Sequence, residues 1–200
     1  MALSFAVTFD YRCPFARNAH EHIVEALKGG ADWDVRFLPF SLSQNKVAED
    51  EVPVWEEPEK DSGLLALQLA VAVRDNQPDR FLDAHVALFS IRHDHGKSQR
   101  DEAELRAALA GAGVDVDAAF AEVETGVPMK TVQEEHERGV ADHTVWGVPT
   151  FIVDDHAAFV RLMDRPRDGV TDPATSIERV IGLLADWPAL NEFKHTSLSK

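Results

Sequence analysis

A chain of 200 residues, 44% of them hydrophobic, holds enough apolar material for one domain with a buried core, or for a small domain carrying an inserted subdomain, which excludes a disordered chain. A formal net charge of −15, with no run of Lys or Arg to offset it, excludes nucleic acid and anionic membrane surfaces as natural partners. The single cysteine excludes a disulfide within the chain.

In chain order, Leu3 to Phe9 reads as a buried strand, with Leu3, Phe5 and Val7 on one side and Ala6 on the other, stopping at Asp10-Tyr11-Arg12. After Pro14, the positions Phe15, Ala19, Ile23, Ala26 and Leu27 recur at helical spacing, while Arg17, Asn18, Glu21 and Glu25 take the other face. Gly29-Gly30 ends that helix by offering a left-handed cap. Trp33 to Phe40 predicts a second strand, limited by Pro39, so the opening is a strand, helix, strand unit of the parallel crossover kind. From Ser41 to about Pro58 the chain is polar and contains proline, with an acidic patch at Glu49-Asp50-Glu51, and predicts a loop.

From Ser62 to about Val145 nearly everything has helical period. Helices are expected over Leu64 to Val73, from Pro78-Asp79 through Phe89, over Asp101 to Ala110, Val116 to Glu124 and Met129 to Asp142, with breaks at Gly111-Ala112-Gly113 and Gly126-Val127-Pro128. No repeat period appears within this block. Strand character returns at Thr150 to Val153 and near Ala158 to Met163, a hairpin turning at Asp154-Asp155-His156. A last helix is expected from Asp172-Pro173 to about Ala185, followed by a mixed tail that docks or frays.

Cys13 stands between a buried strand and the first turn of a helix. Unpaired N–H groups there favour negative charge, so its thiol is expected to ionise more easily than a free thiol of pKa about 8.5. Pro14 suits the first helical position, and Arg12 and Arg17 are expected to add positive potential. The plainer alternative is a lone buried cysteine acting as a small hydrophobe. A second feature is Trp146-Gly147-Val148-Pro149-Thr150-Phe151, which by itself is a turn before a strand.

Tyr11-Arg12-Cys13-Pro14-Phe15-Ala16 after a strand, a helical insertion, and Gly147-Val148-Pro149-Thr150-Phe151 opening a hairpin together resemble the DsbA family of thioredoxin-fold proteins, from Leu3 to about Ala185. The resemblance implies an α/β, thioredoxin-like fold with an inserted all-helical subdomain between the second strand and the C-terminal β-hairpin. Residues 1–61 and 144–187 form the thioredoxin-like part, 62–143 the insertion and 188–200 a tail. It implies a cis Pro149 opposite Cys13, with Val148 and Pro149 binding an extended substrate or a thiol tripeptide through exposed main chain. Tyr11, Arg12, Pro14, Phe15, Ala16 and Trp55 are the other expected substrate-binding residues, and Cys13 the catalytic one.

Disulfide-shuttling members of that family usually carry a second cysteine where this chain has Ala16, so any exchange here must be monothiol. Kappa-class glutathione transferases and 2-hydroxychromene-2-carboxylate isomerases also resemble this chain, typically with serine at the catalytic position activating a bound glutathione. Three functions follow as expectations: a monothiol oxidoreductase resolved by an external thiol, a thiol-dependent transferase or isomerase, and a non-catalytic scaffold binding peptides or proteins. No tightly bound cofactor is expected. The partners are a small thiol or disulfide, glutathione or an equivalent as cosubstrate, and protein disulfides, with a homodimer left open.

Other signals carry less. His20-Glu21-His22 and His93-Asp94-His95 lack the i, i+4 spacing that converges two imidazoles on a metal, so solvated histidines are expected and no metal site. His20 reads as a packing or surface residue. Tyr11 either orients a substrate or makes a structural hydrogen bond, and Trp55 either lines a groove or anchors its loop. The cluster Glu134-Glu135-His136-Glu137-Arg138 reads as a solvated face. The start Met1-Ala2-Leu3-Ser4-Phe5 lacks a basic stretch leading into an apolar one, so a soluble, untargeted, cytoplasmic protein is expected.

Overall fold

In the computed structural model, residues 3–48, 50–169 and 171–196 are described; Met1-Ala2 of the start, Glu49 of the acidic patch and the last four residues of the tail lie outside them. Leu3–Phe9 forms the first strand, β1. It is buried on both faces from Phe5 to Phe9, which is why its sequence alternates so weakly. A helix, α1 (Pro14–Lys28), leads to β2 (Trp33–Pro39), which pairs with β1 in parallel from Leu3 opposite Trp33 to Phe9 opposite Pro39. The left-handed residue after α1 is Gly30, with φ 94°, one position beyond the cap residue Gly29.

The helical insertion contains α2 (Leu64–Asn76), α3 (Pro78–His93), α4 (Glu102–Gly111), α5 (Val116–Glu124) and α6 (Val127–His143). An apolar surface nearly all round buries α2 from Leu64 to Val73 apart from Leu65, placing it centrally in the insertion. Helix α6 starts two residues before Met129 because Gly126, at φ 78°, turns the chain and Pro128 sits in the first turn. The chain then returns to the sheet as β3 (Thr150–Val153), antiparallel to β1, and β4 (His156–Phe159). Strand order is β2-β1-β3-β4. Helix α7 (Pro173–Asp186), capped by the Asp172 carboxylate on Thr175 N, buries Ile177 and Ile181 and packs along α1.

The last strand departs from its sequence prediction. Asp154 takes φ 50°, so Asp154-Asp155 alone make the turn and His156 already pairs with Val153. The apolar residues from Val160 to Met163, which suggested a strand, therefore fall largely past the ladder; Val160 N donates to Pro149 O and is the last link.

The histidines depart in part from expectation: His20 packs in the core, one of its two readings, and is not solvated. His20 and His85 are both fully buried, with Tyr11, in one hydrogen-bonded chain. Thr8 O can only accept, so His20 Nε2, at 3.1 Å, carries the hydrogen. His20 Nδ1 then accepts from His85 Nε2 at 2.8 Å, and His85 Nδ1 accepts from the Tyr11 hydroxyl at 2.7 Å. Every tautomer is thereby fixed, and the chain joins β1, α1 and the insertion through a core that also holds Phe9, Phe37, Phe81 and Phe89. His136 is buried too, stacked on Phe40, with Nδ1 accepting from Ser41 N.

Burial pushes His20 and His136 down to about 4, and lowers His85 well below the usual imidazole value, with His20 adding to the effect. An imidazole held below its unfolded value of about 6.5 binds fewer protons folded than unfolded, so stability is flat above that pH and falls as acid is added, down to about pH 4. At about 1.4 kcal/mol per pH unit, His20 and His136 should each contribute roughly 3 kcal/mol of that loss. Denaturant midpoints measured from pH 8 to pH 4 check this, and an unchanged midpoint across that interval contradicts it.

Candidate active site

Cys13 is the N-cap of α1, extended at φ −90°, with its N–H held by Asp10 O at 3.0 Å. Its sulfur accepts from Ala16 N at 3.5 Å, and its S–H donates to Val148 O at 3.2 Å. Val148–Pro149 is a cis peptide bond. Helix start and hairpin start, 135 residues apart, thus meet at one sulfur.

The electrostatics correct the expected easy ionisation, because the Cys13 thiol is pushed above its ordinary value. Desolvation is the largest cause, since only 8% of the residue is exposed; the N–H groups of Ala16 and Phe15 oppose it, Asp10 adds to it, and Arg161 opposes it. The resting site holds a protonated thiol.

The two arginines credited with lowering that value are committed elsewhere. Arg12 is clamped between buried Asp10 and Asp61, with Nη2 at 2.5 Å from Asp10 and Nη1 at 2.8 Å from Asp61. Ser41 Oγ donates to Asp61, and Leu42 N to Asp10, so both carboxylates are held from several sides. Gly63 passes so close that an added Cβ would lie 2.9 Å from Arg12 Nε. Any side chain there would displace the guanidinium. Arg17 faces Asp94 at 3.5 Å and Asn18.

The expected binding residues divide. Pro14 is exposed, Phe15 half-buried, and Val148 and Pro149 are buried beside the sulfur. Tyr11 and Ala16 are fully buried, a correction to their expected role: their side chains face the core, and Tyr11 is bonded to His85. Arg12 likewise serves Asp10 and Asp61. Trp55 is half-buried against His136, ring centroids 5.5 Å apart, as an anchor of its loop.

Three residues that pack around Phe15 and its neighbours carried no functional reading in the sequence. Trp146, 61% exposed, packs against Phe159 with ring centroids 4.5 Å apart and the planes tilted by 44°. The Arg161 guanidinium lies 5.2 Å from the Phe15 ring and 6.0 Å from Phe159. Arg161 is exposed and in no ion pair among the described residues. Its charge eases ionisation of Cys13, as the smallest of the causes acting on that thiol. Only the true end of β4 at Phe159 brings this arginine to the mouth of the site, so no local motif announces it.

The insertion fixes the approach to Cys13. His93 Nε2 and Gln99 Nε2 both reach Tyr11 O, at 2.9 and 3.0 Å. Arg165, after β4, is buried and bridges Glu21 of α1 to Asp94 beyond α3. Among the described residues no group of three or more His, Cys, Asp or Glu is placed to hold a metal.

A family model described as the DSBA-like thioredoxin domain matches residues 6–167. Among solved structures, the chain is similar to a probable DsbA oxidoreductase from Streptomyces coelicolor at 15% identity and a TM-score of 0.62, covering 96% of this chain and 93% of that one. DsbA of Pseudomonas aeruginosa is 19% identical at a TM-score of 0.58, over 94% and 85% of the two chains. The thiol-disulfide exchange protein alpha-DsbA2 of Wolbachia pipientis is 17% identical at 0.58, over 91% and 82%. At such identities the likeness is one of fold. A search of curated protein sequences returned no match.

Proposed function

The chain belongs to the DSBA-like thioredoxin domain family, and on that footing we propose that it is a thiol-disulfide oxidoreductase working through Cys13 alone. The observation that carries the reading is the Cys13 sulfur at the N-terminus of α1, hydrogen-bonded to the Val148 carbonyl beside the cis Val148–Pro149 bond.

Cys13 loses its proton to solvent, and the thiolate attacks one sulfur of a disulfide. A new S–S bond forms to Cys13, the substrate S–S bond breaks, and the other sulfur leaves as thiolate. A small external thiol such as glutathione then attacks the mixed disulfide, regenerates Cys13 and carries away the oxidised product. Electrons come from that external thiol, so a reducing compartment, the cytoplasm, suits the cycle. With glutathione in excess, reduction of hydroxyethyl disulfide should be first order in protein; a rate equal to the uncatalysed background overturns the proposal.

A high thiol value makes the attack pH-dependent. Alkylation of folded Cys13 by iodoacetamide should keep accelerating above pH 8.5, where a free thiol begins to level off. Arg161→Glu should slow alkylation at pH 8, because losing the cation raises the thiol further and lowers the thiolate fraction. Arg161→Lys should stay near the parent rate. Equal rates in all three proteins would remove Arg161 from the site's electrostatics.

The same protonated thiol favours a second reading. A protonated Cys13 stands where the resemblance to kappa-class transferases and 2-hydroxychromene-2-carboxylate isomerases puts a serine hydroxyl. By turning its S–H from Val148 O to the sulfur of a bound small thiol, it would hold that thiol. Glutathione binding that persists in Cys13→Ser, measured by calorimetry, with glutathione transferred to an electrophile, would select this reading over exchange.

A further inference from the structure

A cavity of about 480 Å³ opens at the edge of the sheet, between β2, the corner joining α2 to α3, and the last turns of α6. Cys13, Val148 and Pro149 are not among its lining residues. Val35, Phe81 and Leu82 give it apolar walls. Arg36 and Arg138 also line it, both exposed and neither in an ion pair among the described residues.

The third arginine, Arg74, is satisfied: its two Nη atoms hold the Glu135 carboxylate at 2.9 Å and its Nη1 also donates to Phe37 O at 2.8 Å. Arg74 also pairs with Asp75, outside the lining, so among the lining residues Glu135 is taken up and the Arg36 and Arg138 charges stay unpaired, in a chain whose net charge is −15. The Phe37 carbonyl points away from β1, and in a parallel strand the N–H of the same residue and of Val35 follows it to the open edge. His143 lines the cavity as well, and its Nδ1 is closed to solvent with no hydrogen-bond partner.

We propose that this cavity is a binding site for a small amphipathic anion, a carboxylate carried on an aliphatic or aromatic body. The apolar body would lie against Val35, Phe81 and Leu82, and the carboxylate between Arg36 and Arg138 within reach of the edge N–H groups. The volume falls within the range of about 300–1,000 Å³ that holds small ligands. Two cations beside apolar walls favour an amphiphile over an inorganic ion, and an anionic amphiphile over a cationic one of the same length.

Decanoate is the probe, titrated calorimetrically into the full chain, with decyltrimethylammonium as the control. The expected result is saturable one-to-one binding of decanoate, at least tenfold weaker binding of the control, and unchanged affinity in Cys13→Ser. Reversing the two exposed charges together (Arg36→Glu with Arg138→Glu) should weaken decanoate at least tenfold while circular dichroism and thermal midpoint stay those of the parent. Leu82→Trp, which fills the cavity without touching charge, should weaken it as well. No saturable binding to the folded parent, equal binding of the two amphiphiles, or affinity unchanged in both the double variant and Leu82→Trp overturns the proposal.

Discussion

Replacing Cys13 by serine should take disulfide exchange to the uncatalysed background while leaving the thermal midpoint close to that of the parent. The two residues differ by one atom at the N-cap, and a serine oxygen accepts from Ala16 N and donates to Val148 O as the sulfur does. Stability is therefore spared. Chemistry is not, because the hydroxyl stays protonated in water and its oxygen forms no disulfide, so the mixed intermediate has no counterpart. Initial rates of glutathione-dependent reduction of hydroxyethyl disulfide, taken with melting curves of both proteins, check the pair of expectations. Retained exchange in the serine variant would show that the chemistry belongs elsewhere, and lost folding would show that the sulfur is a packing atom first.

The second large effect is expected from the histidine chain. His85→Leu removes both partners at once, leaving the Tyr11 hydroxyl without an acceptor and His20 Nδ1 without a donor, in a core where neither reaches water. Each orphaned group costs about 1–3 kcal/mol, so a loss of roughly 2–6 kcal/mol is expected, a large share of the 5–15 kcal/mol that holds an ordinary domain together. Tyr11→Phe alone orphans only His85 Nδ1 and should cost about 1–3 kcal/mol. Combined with His85→Leu it should cost less than the sum, by roughly 0.5–3 kcal/mol, because the hydroxyl that the leucine strands is already gone. Strict additivity in urea unfolding would mean the two side chains do not act as one network.

This network bears on the site through Tyr11. Its ring is fixed by His85 and its carbonyl by His93 and Gln99, all from the insertion, two residues before Cys13. The inserted helices thus set the position of the reactive sulfur without touching it.

Much of the architecture was readable along the chain. Pro14 at a helix start, Gly29-Gly30 at its end and the alternation of Trp33, Val35 and Phe37 are local signals, and the parallel unit β1-α1-β2 follows from them. The hairpin end was misplaced because a two-residue turn, set by the left-handed Asp154, overrode the apolar run from Val160 to Met163. What escaped the sequence are quantities that exist only after folding. The N–H groups above Cys13 follow from its position, but the desolvation that outweighs them comes from burial in the folded chain, where the sulfur meets the Val148 carbonyl 135 residues away. Arg12 looked free until Asp61 and the close pass of Gly63 enclosed it. His20 finds His85 65 residues away, so no spacing rule connects them.

The central claim, a reactive sulfur at the meeting of α1 and the Val148–Pro149 turn, is tested most directly by trapping. Folded protein is incubated with glutathione disulfide at pH 8.5 and analysed by intact mass and peptide mapping. One glutathionyl adduct on Cys13, forming faster as pH rises and released by added thiol, is the predicted result. A sulfur that stays unmodified in the folded protein and reacts only after denaturation would contradict it.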